Sequence, residues 1–158
     1  MARAAIAGRA GVGLIVATDD EAIADHARMA GCDAVLTDSA IATGSGRALA
    51  AALSLPQAPR FVVNLQGDSP FQPEGALAAV IAALEAGAEV ATPVIALDWA
   101  ALDALRDHKT RSPFSGTTCV RGVDAQALWF SKAIIPAIRD EERLRAAAPL
   151  SPVWRHVG

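Results

Sequence analysis

Cysteine is scarce. Cys32 and Cys119 are the only two in 158 residues, and neither has a nearby Cys partner, which excludes a disulfide framework and a cysteine-based zinc site. Both read as buried thiols, the common fate of free cysteine. An excess of positive charge is also missing: 14 Lys plus Arg face 17 Asp plus Glu, for a formal charge of -3 and a pI near 5.5. No strong basic field exists to hold a nucleic-acid backbone. Long apolar runs are absent too. The longest, Gly75 to Leu84, stops at Glu85, far short of the roughly 20 residues that span a bilayer. Met1 to Val12 carries Arg3 and Arg9 without a continuous apolar stretch or a cleavage site, so a secretory signal is not expected and the expected compartment is the cytoplasm. There is no repeat, low-complexity tract or flexible linker, and one domain over residues 1–158 is the simplest expectation.

What is present is apolar. Hydrophobic residues make up 53% of the chain, many of them alanine, and the mean hydropathy is +0.31, so the chain is expected to fold. Such hydropathy is high for a small monomer and implies apolar surface covered by something else. The pattern predicts helix over Met1–Ala10, strand over Leu14–Ala17, and helix over Glu21–Ala30 with Asp20 as N-cap. A short strand, Ala34–Leu36, is followed by a loop from Thr37 to Gly46 and a helix through Leu53. Phe61–Asn64 reads as a strand, Pro73–Ala86 as a helix with Pro73 in its first turn, Val90–Val94 as a strand and Trp99–Leu105 as a helix. Thr117–Arg121 and Ala125–Phe130, separated by Gly122-Val123-Asp124, read as a β-hairpin. Pro136, Pro149 and Pro152 punctuate a tail read as loop-rich, with a strand around Arg155 and His156. Strands alternating with helices predict an α/β fold, a doubly wound and mostly parallel sheet. In such sheets ligands bind beyond the carboxyl ends of the strands.

Asn64-Leu65-Gln66-Gly67-Asp68-Ser69-Pro70 places polar groups at such an end. Asp68 is the candidate acid there, able to hold a Mg²⁺ ion that screens a triphosphate. The plain alternative is a turn in which Asp68 bonds its own backbone. Gly44-Ser45-Gly46-Arg47 could present N–H groups and one guanidinium to an anion, although it is not a Walker A loop and Ser45 could simply cap a helix. Thr18-Asp19-Asp20 reads first as helix capping, with Asp19 a possible ligand contact. His26 and His108 read as surface residues, His156 as a hydroxyl or carboxylate partner or a structural histidine. Trp129 and Phe130 read as core or interface residues. No Ser-His-Asp or Cys-His constellation is present.

Several of these segments together resemble the cytidylyltransferases that activate acidic sugars, most closely the 3-deoxy-manno-octulosonate cytidylyltransferase (CMP-KDO synthetase) family. Val16-Ala17-Thr18-Asp19 resembles its second-strand signature, and Thr43-Gly44-Ser45-Gly46-Arg47 its Ser-Gly-Thr-Glu/Asp-Arg loop. Val63-Asn64-Leu65-Gln66-Gly67-Asp68-Ser69-Pro70 is similar to its Val-Asn-Val-Gln-Gly-Asp-Glu-Pro run. Ala127-Leu128-Trp129-Phe130-Ser131-Lys132 with Ile135-Pro136, and Arg155-His156-Val157-Gly158, match two further motifs in the right order. The resemblance implies a nucleotide-diphospho-sugar transferase-like fold. It implies attack of a sugar's anomeric hydroxyl on the α-phosphorus of CTP, release of pyrophosphate, and a need for Mg²⁺ in lipopolysaccharide precursor synthesis. By the same resemblance Asp68 would be a metal ligand, Gln66 and Gly67 would fix the sugar, Arg47 would face the sugar-acid or phosphate charge, and His156 would touch the sugar. The hairpin around Trp129 would lie in a region used for homodimer contacts.

The departures are specific. Ser45 and Gly46 stand where the family has Thr-Glu/Asp, and Ser69 where it has Glu. Against the family pattern the chain begins within the helix before the second strand and stops before a second metal-binding Asp. The resemblance therefore implies an internal piece of the enzyme, truncated at both ends and with little activity alone. Two alternatives stay open: a cytidylyltransferase for a nonulosonic, sialic-type acid, and a non-catalytic remnant that only binds a partner or dimerises.

Overall fold

The computed structural model describes residues 12–68, 72–73 and 75–157. The helix expected over Met1–Ala10, together with Ser69, Pro70 and Gly158, lies outside them. The chain divides into two compact units, residues 1–91 and residues 92–158.

In the first unit, β1 (Ile15–Thr18) pairs in parallel with β2 (Asp33–Leu36), Ile15 opposite Asp33 and Thr18 opposite Leu36. The crossover between them is α1 (Glu21–Met29), as a parallel pair requires. Asp20 caps α1 as expected: its carboxylate accepts from the Ala22 and Ile23 N–H groups at 2.7 and 3.1 Å. Gly31, with φ of 71°, and the Cys32 N–H to Ala27 carbonyl bond close the helix, an ending that favours glycine. The buried residues of α1 are Ala24 and Ala27, so it is alanine that lets the helix approach the two strands. Cys32 is only half-buried and Cys119 is buried, which corrects the expectation for the first of them.

Next come α2 (Gly44–Leu53) and α3 (Ala76–Glu85). Helix α2 starts at Gly44 rather than after Gly46, because Thr43, not Ser45, is the cap: its hydroxyl accepts from the Gly46 N–H at 3.0 Å. A Cβ at Gly46 would stand 2.9 Å from Thr43 Oγ1 and 3.1 Å from Ile41 Cγ2. The small residue found there is therefore what leaves room for this cap. Helix α3 starts after Gly75, at φ of 77°, so Pro73 lies outside it. Phe61–Asn64 forms no strand ladder.

The second unit carries β3 (Val94–Asp98), α4 (Trp99–Arg111), β4 (Thr118–Arg121), β5 (Ala127–Ser131), α5 (Glu141–Ala147) and β6 (Leu150–His156). The four strands lie in the order β3-β6-β4-β5, every pair antiparallel. The α/β class is the expected one, but the described pairing is parallel only at β1 and β2. One physical reason is local, since the short β4–β5 connection cannot make a parallel crossover. The hairpin forms as expected, with Cys119 opposite Phe130. Its turn runs further than Asp124, because the Gly122 N–H bonds the Gln126 carbonyl at 2.8 Å and Ala125 sits at φ of 66°. Strand β3 begins at Val94, where the expected strand would have ended.

The tail is more ordered than three prolines suggested. Pro152 lies within β6 opposite the irregularity between Ala96 and Asp98, and the β4 pairing reaches β6 only at Trp154 and Arg155. A bulge is where a strand tolerates the missing N–H of proline. Leu97, Trp99, Leu102, Leu105 and Val153 form the core of this unit, with Ile134, Ile138 and Leu144 packed against it. The Trp99 indole N–H donates to the Ala148 carbonyl at 2.8 Å. Among the described residues no helix is long and apolar enough to cross a membrane.

Candidate functional site

The expected site residues of the first unit gather at the carboxyl ends of β1 and β2 and the start of α2. Arg47, in the first turn of α2, is the centre. Its Nη2 lies 3.1 Å from Asp19 Oδ2 and donates to the Ile41 carbonyl at 3.2 Å, while Nη1 donates to Thr37 Oγ1. Thr37 in turn donates through its hydroxyl to the Thr18 carbonyl at 3.2 Å. One guanidinium thus ties together the residue after β1, the residue after β2, the loop and a helix. Planar, multiply donating Arg suits this role and Lys would not.

The segment after residue 60 comes to the same place. Asn64 Nδ2 donates to Ser45 Oγ at 3.4 Å. The Gln66 side chain lies beside Gly44, where an added Cβ would meet Gln66 Nε2 at 3.5 Å. Two amides from this run therefore stand at the N-terminal turn of α2, where its backbone N–H groups favour anions. Gly67 and Asp68 follow in an exposed turn. A Cβ at Gly67 would meet nothing within 4 Å, so the backbone there is open to close approach.

Among the described residues no three His, Cys, Asp or Glu side chains gather into a metal cluster. A Mg²⁺ carried by a triphosphate takes one or two carboxylates and fills its shell with phosphate oxygens and water. An exposed Asp68 suits such an ion as one protein ligand.

His156 belongs to the second unit. Its Nε2 is 2.7 Å from Thr92 Oγ1, and its ring meets Phe130 edge-on at 5.7 Å between centroids. Burial, and secondarily the Lys132 charge, push its pKa below the usual imidazole value. The neutral form, which can both donate and accept, is favoured.

Sequence reasoning did not single out Thr37, Thr92 or Lys109, and it named Thr117 only as a strand end and Lys132 only as the last residue of the Ala127–Lys132 motif. Lys109 donates to the carbonyls of Pro113, Ser115, Gly116 and Lys132 at 3.2, 2.5, 3.0 and 2.6 Å. Lys132 Nζ donates to Thr117 Oγ1 at 2.8 Å. Nothing in a single lysine or threonine signals such contacts before folding. Trp129 and Phe130 are exposed, Trp129 to 70%, so the core alternative for them is corrected: β5 is the outer strand of its sheet. Asp19, weighed as a cap, is instead the partner of Arg47, while His26 and His108 are exposed as expected.

The polar side chains around Arg47 converge beyond the carboxyl ends of the strands, where open α/β sheets bind their ligands. Residues 2–156 match the family model described as cytidylyltransferase, and the chain belongs to that family. Curated relatives named 3-deoxy-manno-octulosonate cytidylyltransferase include one from Maricaulis maris, 35% identical over 147 residues, spanning 92% of this chain and 54% of the relative. Another, from Anaeromyxobacter dehalogenans, is 42% identical over 144 residues, spanning 90% and 52%. The chain thus spans about half the length of these relatives. Among solved structures, CMP:2-keto-3-deoxy-manno-octonic acid synthetase complexed with CTP matches with a TM-score of 0.74 and 22% identity, over 98% of this chain and 57% of that one. The two share a fold.

Proposed function

We propose that this chain carries part of the machinery that transfers CMP from CTP to a 2-keto-3-deoxy sugar acid, KDO, with release of pyrophosphate. The observation that carries the reading is the convergence of Arg47, Asn64 and Gln66 on the start of α2, with Asp68 next in the chain. The sugar's anomeric oxygen forms a bond to the α-phosphorus as the bond from that phosphorus to the pyrophosphate oxygen breaks. The protein's work in such a transfer is positioning and charge neutralisation.

In the first unit, Asp68 would hold Mg²⁺, which screens triphosphate charge when bound. Gln66 and Gly67 would hold the sugar by side-chain amide and open backbone, and Arg47 would face the sugar-acid or phosphate charge. In the second unit, His156 would touch a sugar hydroxyl through its neutral imidazole. The product would serve lipopolysaccharide precursor synthesis in the cytoplasm. The exposed apolar β5, with Leu128, Trp129 and Phe130 uncovered, would pair with a second copy in a homodimer, an unpaired edge being a template for association.

The test is a chimera in which residues 12–157 replace the matching segment of the Maricaulis maris relative. Supplied with CTP and Mg²⁺, it is expected to release pyrophosphate with KDO and far less with a sialic acid. Preference for the sialic acid would move the substrate to the nonulosonic class. A folded chimera inert with both would leave the chain as a binding module.

A further inference from the structure

We propose that Thr92 is a positioning residue for the sugar: its hydroxyl holds Nε2 of the His156 imidazole, so that the ring keeps one orientation and one tautomer and meets the sugar through Nδ1. This rests on the cytidylyltransferase reading, which sets His156 against a sugar hydroxyl and leaves unstated how the ring is held.

The backbone at His156 is pinned on both sides. Val94 stands opposite it in the β3–β6 ladder, its N–H donates to the Thr117 carbonyl at 2.9 Å, and the next N–H, that of Val157, donates to the Pro93 carbonyl at 3.1 Å. These bonds fix where the side chain starts and leave its two torsions open, the second of them broad and roughly two-fold. Phe130 narrows the choice, its ring standing edge-on to the imidazole at 5.7 Å between centroids and 82° between planes. Such a contact is satisfied equally by the half-turned ring, which exchanges nitrogens for carbons. Thr92 breaks that tie. Its Oγ1 lies 2.7 Å from Nε2, the ring's one hydrogen bond among the described residues, and a half-turned ring would offer it a carbon instead.

Thr92 is preset to point. Pro93 follows it and biases the residue before it toward extended backbone, and the branched β-carbon of Thr92 restricts χ1. Thr92 is also exposed, so water would satisfy its hydroxyl without His156, and the contact is not needed to rescue a buried polar group. What the bond supplies is direction. Burial, then the Lys132 charge, lower the His156 pKa, and a neutral imidazole has one N–H and one lone pair. Occupying Nε2 therefore settles Nδ1: it carries the proton where the Thr92 hydroxyl donates, and a lone pair where the hydroxyl accepts. The sugar then meets a single, pre-oriented partner, which lowers the ordering cost of binding.

The first test reads the two imidazole nitrogen resonances of His156 by NMR in the 158-residue chain, above the imidazole pKa, for the parent, Thr92→Ser and Thr92→Val. The parent nitrogens are expected to stand well apart, as in a single tautomer, and Thr92→Ser to match them. Thr92→Val, which keeps the shape and lacks the hydroxyl, is expected to draw them together. The second test uses the chimera with the Maricaulis maris relative. There Thr92→Val is expected to raise the KM for KDO about fivefold, the scale of one neutral hydrogen bond, with kcat and the KM for CTP unchanged, the pattern of an interaction equally strong in ground and transition states. Thr92→Ser is expected to restore the parent value. A role confined to stability would move the melting temperature and not the KM for one substrate. With an active parent chimera, ring nitrogens unmoved in Thr92→Val, or a KM for KDO equal to the parent's, overturn the role of Thr92 and leave the cytidylyltransferase reading standing. A parent chimera inert with CTP, Mg²⁺ and KDO removes that reading and the proposal together.

Discussion

The carboxylate of Asp19 and the guanidinium of Arg47, 28 positions apart, meet at 3.1 Å and join the end of β1 to the start of α2. Arg47 is mostly buried and Asp19 is partly exposed, so the pair is worth less than an enclosed one. The Arg47 side chain also holds Thr37 and the Ile41 carbonyl. Its removal therefore costs more than the ion pair alone.

Arg47→Ala is expected to destabilise the chain by about 2 kcal/mol, the scale of one hydrogen bond to a charged group, read from urea unfolding midpoints. Asp19→Asn is expected to cost less than about 1 kcal/mol, in keeping with a partly exposed pair. Arg47→Lys, which lacks the planar fork, should recover only part of the loss. Full recovery would mean that charge alone holds the segment.

Glu141 predicts an acid-sensitive step. It receives Arg106 at 2.8 and 2.7 Å and Arg145 at 2.9 and 2.7 Å, and those hydrogen bonds lower its pKa from 4.5 to about 2. Because the folded-state pKa is depressed, the contribution is complete above about 4.5 and is lost as pH falls toward about 2. The gap in melting temperature between the parent and Glu141→Gln should be steady from pH 5 to 8 and close below pH 4.5. A gap independent of pH would show that the carboxylate's charge is not what stabilises this corner.

Trp129 stands exposed on the outer strand β5. If that edge binds a second copy, Trp129→Lys is expected to shift sedimentation from dimer toward monomer while leaving the circular dichroism unchanged, because an edge lysine blocks strand addition. An unchanged sedimentation coefficient would place any dimer contact elsewhere.

Leu102, fully buried at the centre of the second unit's core, sets the scale for packing. Leu102→Ala should cost about 2–5 kcal/mol, measured by the same unfolding curves. A loss under about 1 kcal/mol would mean that the core collapses into the space.

Local signals were legible where the deciding contact is short-range. Asp20 before Glu21, Gly31 after Met29, and Gly122 between two apolar runs each name their own helix end or turn, and each forms. Thr43 was missed as a cap because Ser45 offers the same chemistry two residues on, and only the packing around Gly46 separates them. Phe61–Asn64 has a strand's composition, but a strand exists only when a ladder partner is present, which composition does not state. The segments that hold Asp68, Arg47 and Gln66 were readable as motifs. That Asp19 pairs with Arg47, and that Lys109 sits among four carbonyls, depends on long-range geometry that no local spacing encodes.

The most direct measurement of the central claim is pyrophosphate release from CTP, Mg²⁺ and KDO by the chimera that carries residues 12–157, with and without Asp68→Ala. The account predicts turnover in the parent and at least a hundredfold loss in the variant, about 2.7 kcal/mol in transition-state terms, with the fold unchanged by circular dichroism. Turnover undiminished in Asp68→Ala would contradict it, because the carboxylate assigned to hold Mg²⁺ would then have no part in the reaction.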